Sequence, residues 1–209
     1  MKAVVLWVVG IFILTGPGHL NNNSGDSPEK ILSQYVNHSA AIQWGAWLVV
    51  LGALAFLWFV SSLRSVLFSA EGGNGRIATI ATIGGIATGI CVILAHLPSF
   101  AAASTSDNLT PDAAKALVLM DDTFYYAAEY SLVLLFFGTA LVIYREGVLP
   151  VWLMWVSVVF GVLALIPPIG WAVLAIGLPL WTLATSWLLF AAAGADPEAA
   201  EPDAPAPMV

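Results

Sequence analysis

Charge is the scarcest property of this chain. Of its 209 residues, 6 are Lys or Arg and 13 are Asp or Glu, so charged side chains make up 9% of the sequence, against about 25% in an ordinary soluble domain. Six cations cannot build a basic face for nucleic acid. Cysteine is nearly missing as well. Cys91 stands alone inside an apolar run, which excludes an intrachain disulfide and a thiolate metal site. It reads as a small buried apolar residue. Only 3 histidines occur, and none belongs to a local ligand motif such as H-E-x-x-H. No catalytic, cofactor or transport motif stands out. Gly73-Asn74-Gly75-Arg76 is too short for a phosphate loop and follows no strand, so it reads as a turn.

What fills the chain is apolar sequence, at 60% of residues. A helix of about 20 apolar residues crosses the hydrocarbon core. Lipid offers the backbone no hydrogen-bond partners, so only helices and closed barrels can span it. The runs here are continuous rather than alternating. They predict an all-α, polytopic transmembrane bundle of about six spans: residues 3–15, 41–60, 77–97, 124–144, 151–166 and 171–193. The first is short, follows Lys2 and ends at Gly16-Pro17-Gly18. A signal peptide shares those features, but a good A-x-A cleavage site is lacking, which favours a retained helix. Residues 194–209 form an acidic, Pro- and Ala-rich tail with Asp196, Glu198, Glu201 and Asp203, and are expected to be disordered.

Local signals mark the ends. Ser27 is placed to cap a short helix with Pro28 in its first position, running through Tyr35 towards His38. Residues 71–76 form a turn, Pro98 closes the third span, and Pro111 opens an amphipathic lead-in to the fourth. Pro179 is expected to kink the last helix. With the N-terminus inside, Lys2, Arg64, Arg76 and Arg145 fall on the inner side and only Lys30 and Lys115 on the outer. That is the positive-inside bias, and it puts both termini in the cytoplasm. Trp44, Trp152 and Trp171 fall near span ends, where interfacial indoles collect. No internal repeat supports a repeat-built transporter.

Small residues predict the packing. Ala81, Gly85 and Gly89 recur at four-residue spacing, with Gly84 and Ala87 beside them, and read as one close-packing face. Gly45, Gly52 and Ala53 suggest a similar contact on the preceding span, where Phe56, Trp58 and Phe59 face lipid or pack.

Glu129 is the informative polar residue. A carboxylate at membrane depth is expensive and usually faces the bundle interior. Asp122, Tyr126 and Glu129 sit at offsets of zero, four and seven and are expected to share one helix face. In this topology His19, His38 and His96 fall on the outer side with Asp121, Asp122 and Glu129. Imidazole with carboxylate can bind a divalent metal or relay protons. Two readings stand. In one, Glu129, Asp122, Tyr126 and His96 form a binding site, or His19, His38, His96 and Asp122 hold a metal. In the other, His19 and His38 are interfacial, His96 caps a helix end, and Glu129 bonds a tyrosine or Gln43 across helices. No cofactor is indicated.

Several strings resemble a family. Tyr35-x-x-His38, Phe56-Leu57-Trp58-Phe59, Leu63-Arg64, residues 70–76 (Ala-Glu-Gly-Gly-Asn-Gly-Arg) and Leu149-Pro150-x-Trp152-Leu153 resemble small polytopic membrane proteins common in actinobacteria. The resemblance covers residues 27–189, and the first apolar run is shorter than in that group. It implies a multi-pass protein of the bacterial cell membrane, and carries no activity and no functional residues. The weighed functions are a non-catalytic protein that binds membrane lipids or a partner protein (a second copy included), a small-molecule or proton-coupled carrier using Glu129, and an outer-face metal enzyme. The first is favoured, and an enzyme is disfavoured.

Overall fold

The computed structural model describes residues 25–194. The first apolar run and His19, and the acidic tail from residue 195 on, lie outside the described residues. Within them the chain is helical, and no strand occurs. The helices are α1 (Pro28–Glu71), α2 (Arg76–Ser104), α3 (Pro111–Glu146), α4 (Val151–Ala164), α5 (Pro167–Ala172) and α6 (Leu178–Gly194). A π-helical segment, Val173–Gly177, joins α5 to α6 without a break. Among the described residues, four stretches are long and apolar enough to cross a membrane: Pro28–Glu71, Arg76–Ser104, Pro111–Glu146 and Pro167–Ala192. The fifth expected span is the 14-residue α4, which is shorter.

The N-terminal signals act as read. Ser27 Oγ accepts from Lys30 N at 3.3 Å, with Pro28 in the first turn. The short helix after it and the next span are one 44-residue element, broken only at His38, whose φ of −126° and ψ of 22° leave the helical region. Pro98 does not close α2. It lies inside the helix, which runs on to Ser104, and a 3-10 turn over Ser106–Asn108 completes the connection. Its missing N–H costs one helical bond, to the Leu94 carbonyl, and neighbouring helices hold the segment in place. At the other proline, the π segment ends just before Pro179. The extra residue in that turn absorbs the ring that would clash in a regular helix.

The turn between α1 and α2 is built by Glu71. Its carboxylate accepts from Ile77 N at 2.9 Å and Ala78 N at 2.7 Å, capping a helix whose own N-cap, Gly75, has no side chain to do so. Gly72, Gly73 and Gly75 all take positive φ, which side chains resist. A Cβ on Gly75 would also run into the Phe68 ring, whose face Arg64 covers at 5.0 Å.

The small residues of α2 serve two neighbours rather than one face. A Cβ on Gly84 would stand 2.5 Å from Leu135 N of α3, and one on Gly138 would meet Ala81 Cβ at 2.8 Å. Gly85 and Gly89 instead receive Val60 and Leu57 of α1. Thus α2 is wedged between α1 and α3, its backbone close against that of α3 and its glycines receiving side chains of α1, the kind of contact that holds helices together in lipid. Phe56 is buried while Trp58 is 81% exposed, so the aromatic string divides between packing and an outward face.

The helices differ in reach. α4 rises about 21 Å and α3 about 54 Å. The turn after α4 therefore meets α3 only part way, at Glu129, which touches Gly170. Beyond that level, among the described residues, α1, α2 and α3 continue as a three-helix extension.

Candidate functional site

Glu129 is buried, with 1% of its surface exposed. It projects from α3 against the start of α5, where a Cβ on Gly170 would lie 2.5 Å from Oε2 and 2.9 Å from Cδ. Among the described residues its carboxyl forms no hydrogen bond, to a tyrosine or to Gln43. On the expected face Tyr126 is 49% exposed, whereas Tyr125, one turn before Glu129, is half-buried. Offsets of three and four both reach a neighbouring position, and only the packing of α3 decides which side of the stripe is inside.

Of the two half-buried aspartates, Asp121 is the one that meets a neighbouring helix. Ser99 Oγ donates to Asp121 Oδ2 in a very short contact, and Tyr35 OH lies 3.2 Å from Ser99 Oγ. Tyr35, fully buried, comes from α1, Ser99 from α2 and Asp121 from α3, so one polar chain ties the three-helix extension together. The sequence held a signal for it, since Ser99 follows a proline that frees the helix locally, but nothing in spacing pairs residues 35, 99 and 121.

His96 does not end a helix. It is inside α2, and its Nδ1 donates to Val92 O at 2.8 Å. His38 marks the break in α1. Among the described residues, no group of three His, Cys, Asp or Glu side chains converges to hold a metal; His19 lies outside them. A further buried bond lies elsewhere in the bundle, where Trp181 Nε1 donates to Ser157 Oγ at 2.9 Å and Ser157 donates to Leu153 O. Trp181 also meets Phe136 and Phe59 edge-on, at 5.3 and 5.9 Å.

An open groove of about 440 Å³ follows the break at His38. Ser39, Ala40, Gln43, Trp44 and Trp47 line it from α1 and Phe100 from α2. Trp44 and Trp47 stand edge to face at 5.8 Å and are 62% and 47% exposed. Sequence reading placed Trp44 near a span end but gave no sign of the groove, because it depends on the break and on the approach of Phe100.

Compared with known proteins, the chain matches no family model, no curated protein and no solved structure.

Proposed function

We propose that this chain is a multi-pass bacterial cell-membrane protein that binds lipid or a membrane partner and does not catalyse a reaction. In this reading it has six spans, counting α4 and the first apolar run, and both termini are cytoplasmic. The end of the bundle carrying Arg64, Arg76 and Arg145 is then the inner one. The observation that carries the binding role is the groove at Trp44 and Trp47, an apolar trough with Ser39 and Gln43 on its wall. Such indoles favour the lipid interface, with an apolar body and a polar N–H. Two sets of buried polar groups, by contrast, join helices: Tyr35 to Ser99 to Asp121, and Trp181 to Ser157.

Purification in mild detergent, with native mass, lipid and metal measured on one sample, tests this. Retained lipid that falls in the Trp44→Ala/Trp47→Ala variant is the expected result. A stoichiometric metal lost on His38→Ala or His96→Ala would replace the reading with a metal enzyme.

One observation favours a second reading, a proton-coupled carrier. Glu129 is buried beside the helix interrupted by the π segment Val173–Gly177, and intramembrane carboxylates often mark proton or substrate paths. Glu129→Gln would then fold normally and abolish pH-driven flux in liposomes. Loss of folding with no transport defect supports the structural role.

A further inference from the structure

The three-helix extension holds buried oxygen acceptors without a donor among the described residues. Tyr35 and Ser99 each bring one hydroxyl proton, the Ser99 proton goes to Asp121 Oδ2, and the Ser99 backbone N–H also bonds this carboxylate. Asp121 Oδ1 remains buried with no partner among the described residues, and so does Gln34 Oε1, one residue before Tyr35. Buried polar atoms are ordinarily satisfied, and an orphan calls for a bound group. Here every orphan is an oxygen that accepts, so the missing group is positive or donates.

Among the described residues, the lysines do not fill that role. Lys30 Nζ pairs with Asp26 Oδ1 at 2.7 Å, and Lys115 Nζ donates to Asp26 O at 3.3 Å. Asp122 adds negative potential beside Asp121. We propose that Asp121, Ser99 and Tyr35 form the core of a binding site for a monovalent alkali cation, clamping α1, α2 and α3 together. The chemistry selects the class. Carboxylate and hydroxyl oxygens are hard donors, which suit hard cations rather than zinc or copper. A single inward carboxylate balances one positive charge, and uncompensated buried charge is costly. The site is separate from the Trp44 groove and does not depend on the lipid-binding reading.

The experiment is thermal unfolding of the purified full chain, followed by tryptophan fluorescence. Samples contain NaCl, KCl, LiCl or N-methyl-D-glucamine chloride at equal ionic strength. A ligand that binds only the folded state raises its midpoint. The expected result is a rise of about 3–6 °C per tenfold increase in one alkali cation above its dissociation constant, with no rise in N-methyl-D-glucamine. Asp121→Asn should lose this response. Ser157→Ala, which removes a different buried bond, should be less stable yet keep it. Equal wild-type midpoints in all four salts would overturn the proposal and leave water or an acid proton on Asp121 itself as the donor. A stronger response to MgCl2 or CaCl2 at matched ionic strength would overturn the monovalent assignment. The wild-type series decides the matter even where a variant fails to fold, and equimolar binding of radiolabelled sodium or its potassium analogue rubidium to wild type gives a second readout.

Discussion

Glu129 and Gly170 are in contact: Oε2 stands 2.5 Å from where a Cβ on Gly170 would be. The carboxyl of α3 thus fills the space a side chain at the start of α5 would need, which fixes where the last hairpin meets the bundle. Gly170→Ala forces one of them to move. Overpacking of this kind costs about 1–3 kcal/mol. Unfolding midpoints of Gly170→Ala, Glu129→Ala and the double variant check it. The double variant should recover part of the loss, whereas simple additivity would show that the contact is not what constrains the site.

Gly84 should tolerate a methyl less well than Gly85. Its added Cβ meets the Leu135 backbone nitrogen, while that of Gly85 meets the Val60 methyls at 2.8 Å. A side chain can rotate away, but a helix backbone cannot. Gly84→Ala is therefore expected to lose about 1–3 kcal/mol, the larger of the two effects. Denaturation of both variants in the same detergent ranks them, and the reverse order would contradict the α2–α3 contact.

Glu71 caps α2 from across a turn, so Glu71→Ala leaves the Ile77 and Ala78 N–H groups without their acceptor. Loss of a helix cap costs about 0.5–2 kcal/mol. Hydrogen exchange at Ile77 and Ala78 should accelerate while that of Glu129 in α3 stays the same. Glu71→Gln, which keeps one carbonyl oxygen, should lie between.

Ser157→Ala removes the acceptor for Trp181 Nε1. A buried donor left unsatisfied costs about 1–3 kcal/mol. Trp181 is packed among Phe59 and Phe136 and cannot turn to water. The emission of this indole should change with the loss of its bond, while Ser157→Thr, which keeps a hydroxyl, should preserve both stability and spectrum.

The candidate site was legible in part. Glu129 was recognisable as buried, because a carboxylate within an apolar run has few other options. Its neighbours were not. Tyr125 and Tyr126, like Asp121 and Asp122, are adjacent in sequence, and either member fits a stripe with Glu129. Which one turns inward follows from how α3 is rotated against α1 and α2, through the Gly84 and Gly138 contacts. The Tyr35–Ser99–Asp121 chain joins residues from three helices, and no local pattern records such a meeting.

Sequence alone determined the all-helical character, the apolar stretches of α1, α2, α3 and the last hairpin arm, and the cap at Ser27. Those features depend on hydropathy and on side chains acting within a turn or two. Tertiary structure alone decided the rest: that α2 passes through Pro98, that Gly84 and Gly85 serve opposite neighbours, and that a groove opens beside Trp44. It also decided that Asp121, rather than Asp122, meets Ser99. In each case the deciding energy is contact between helices distant in sequence, where a rotation of one residue exchanges a buried group for an exposed one.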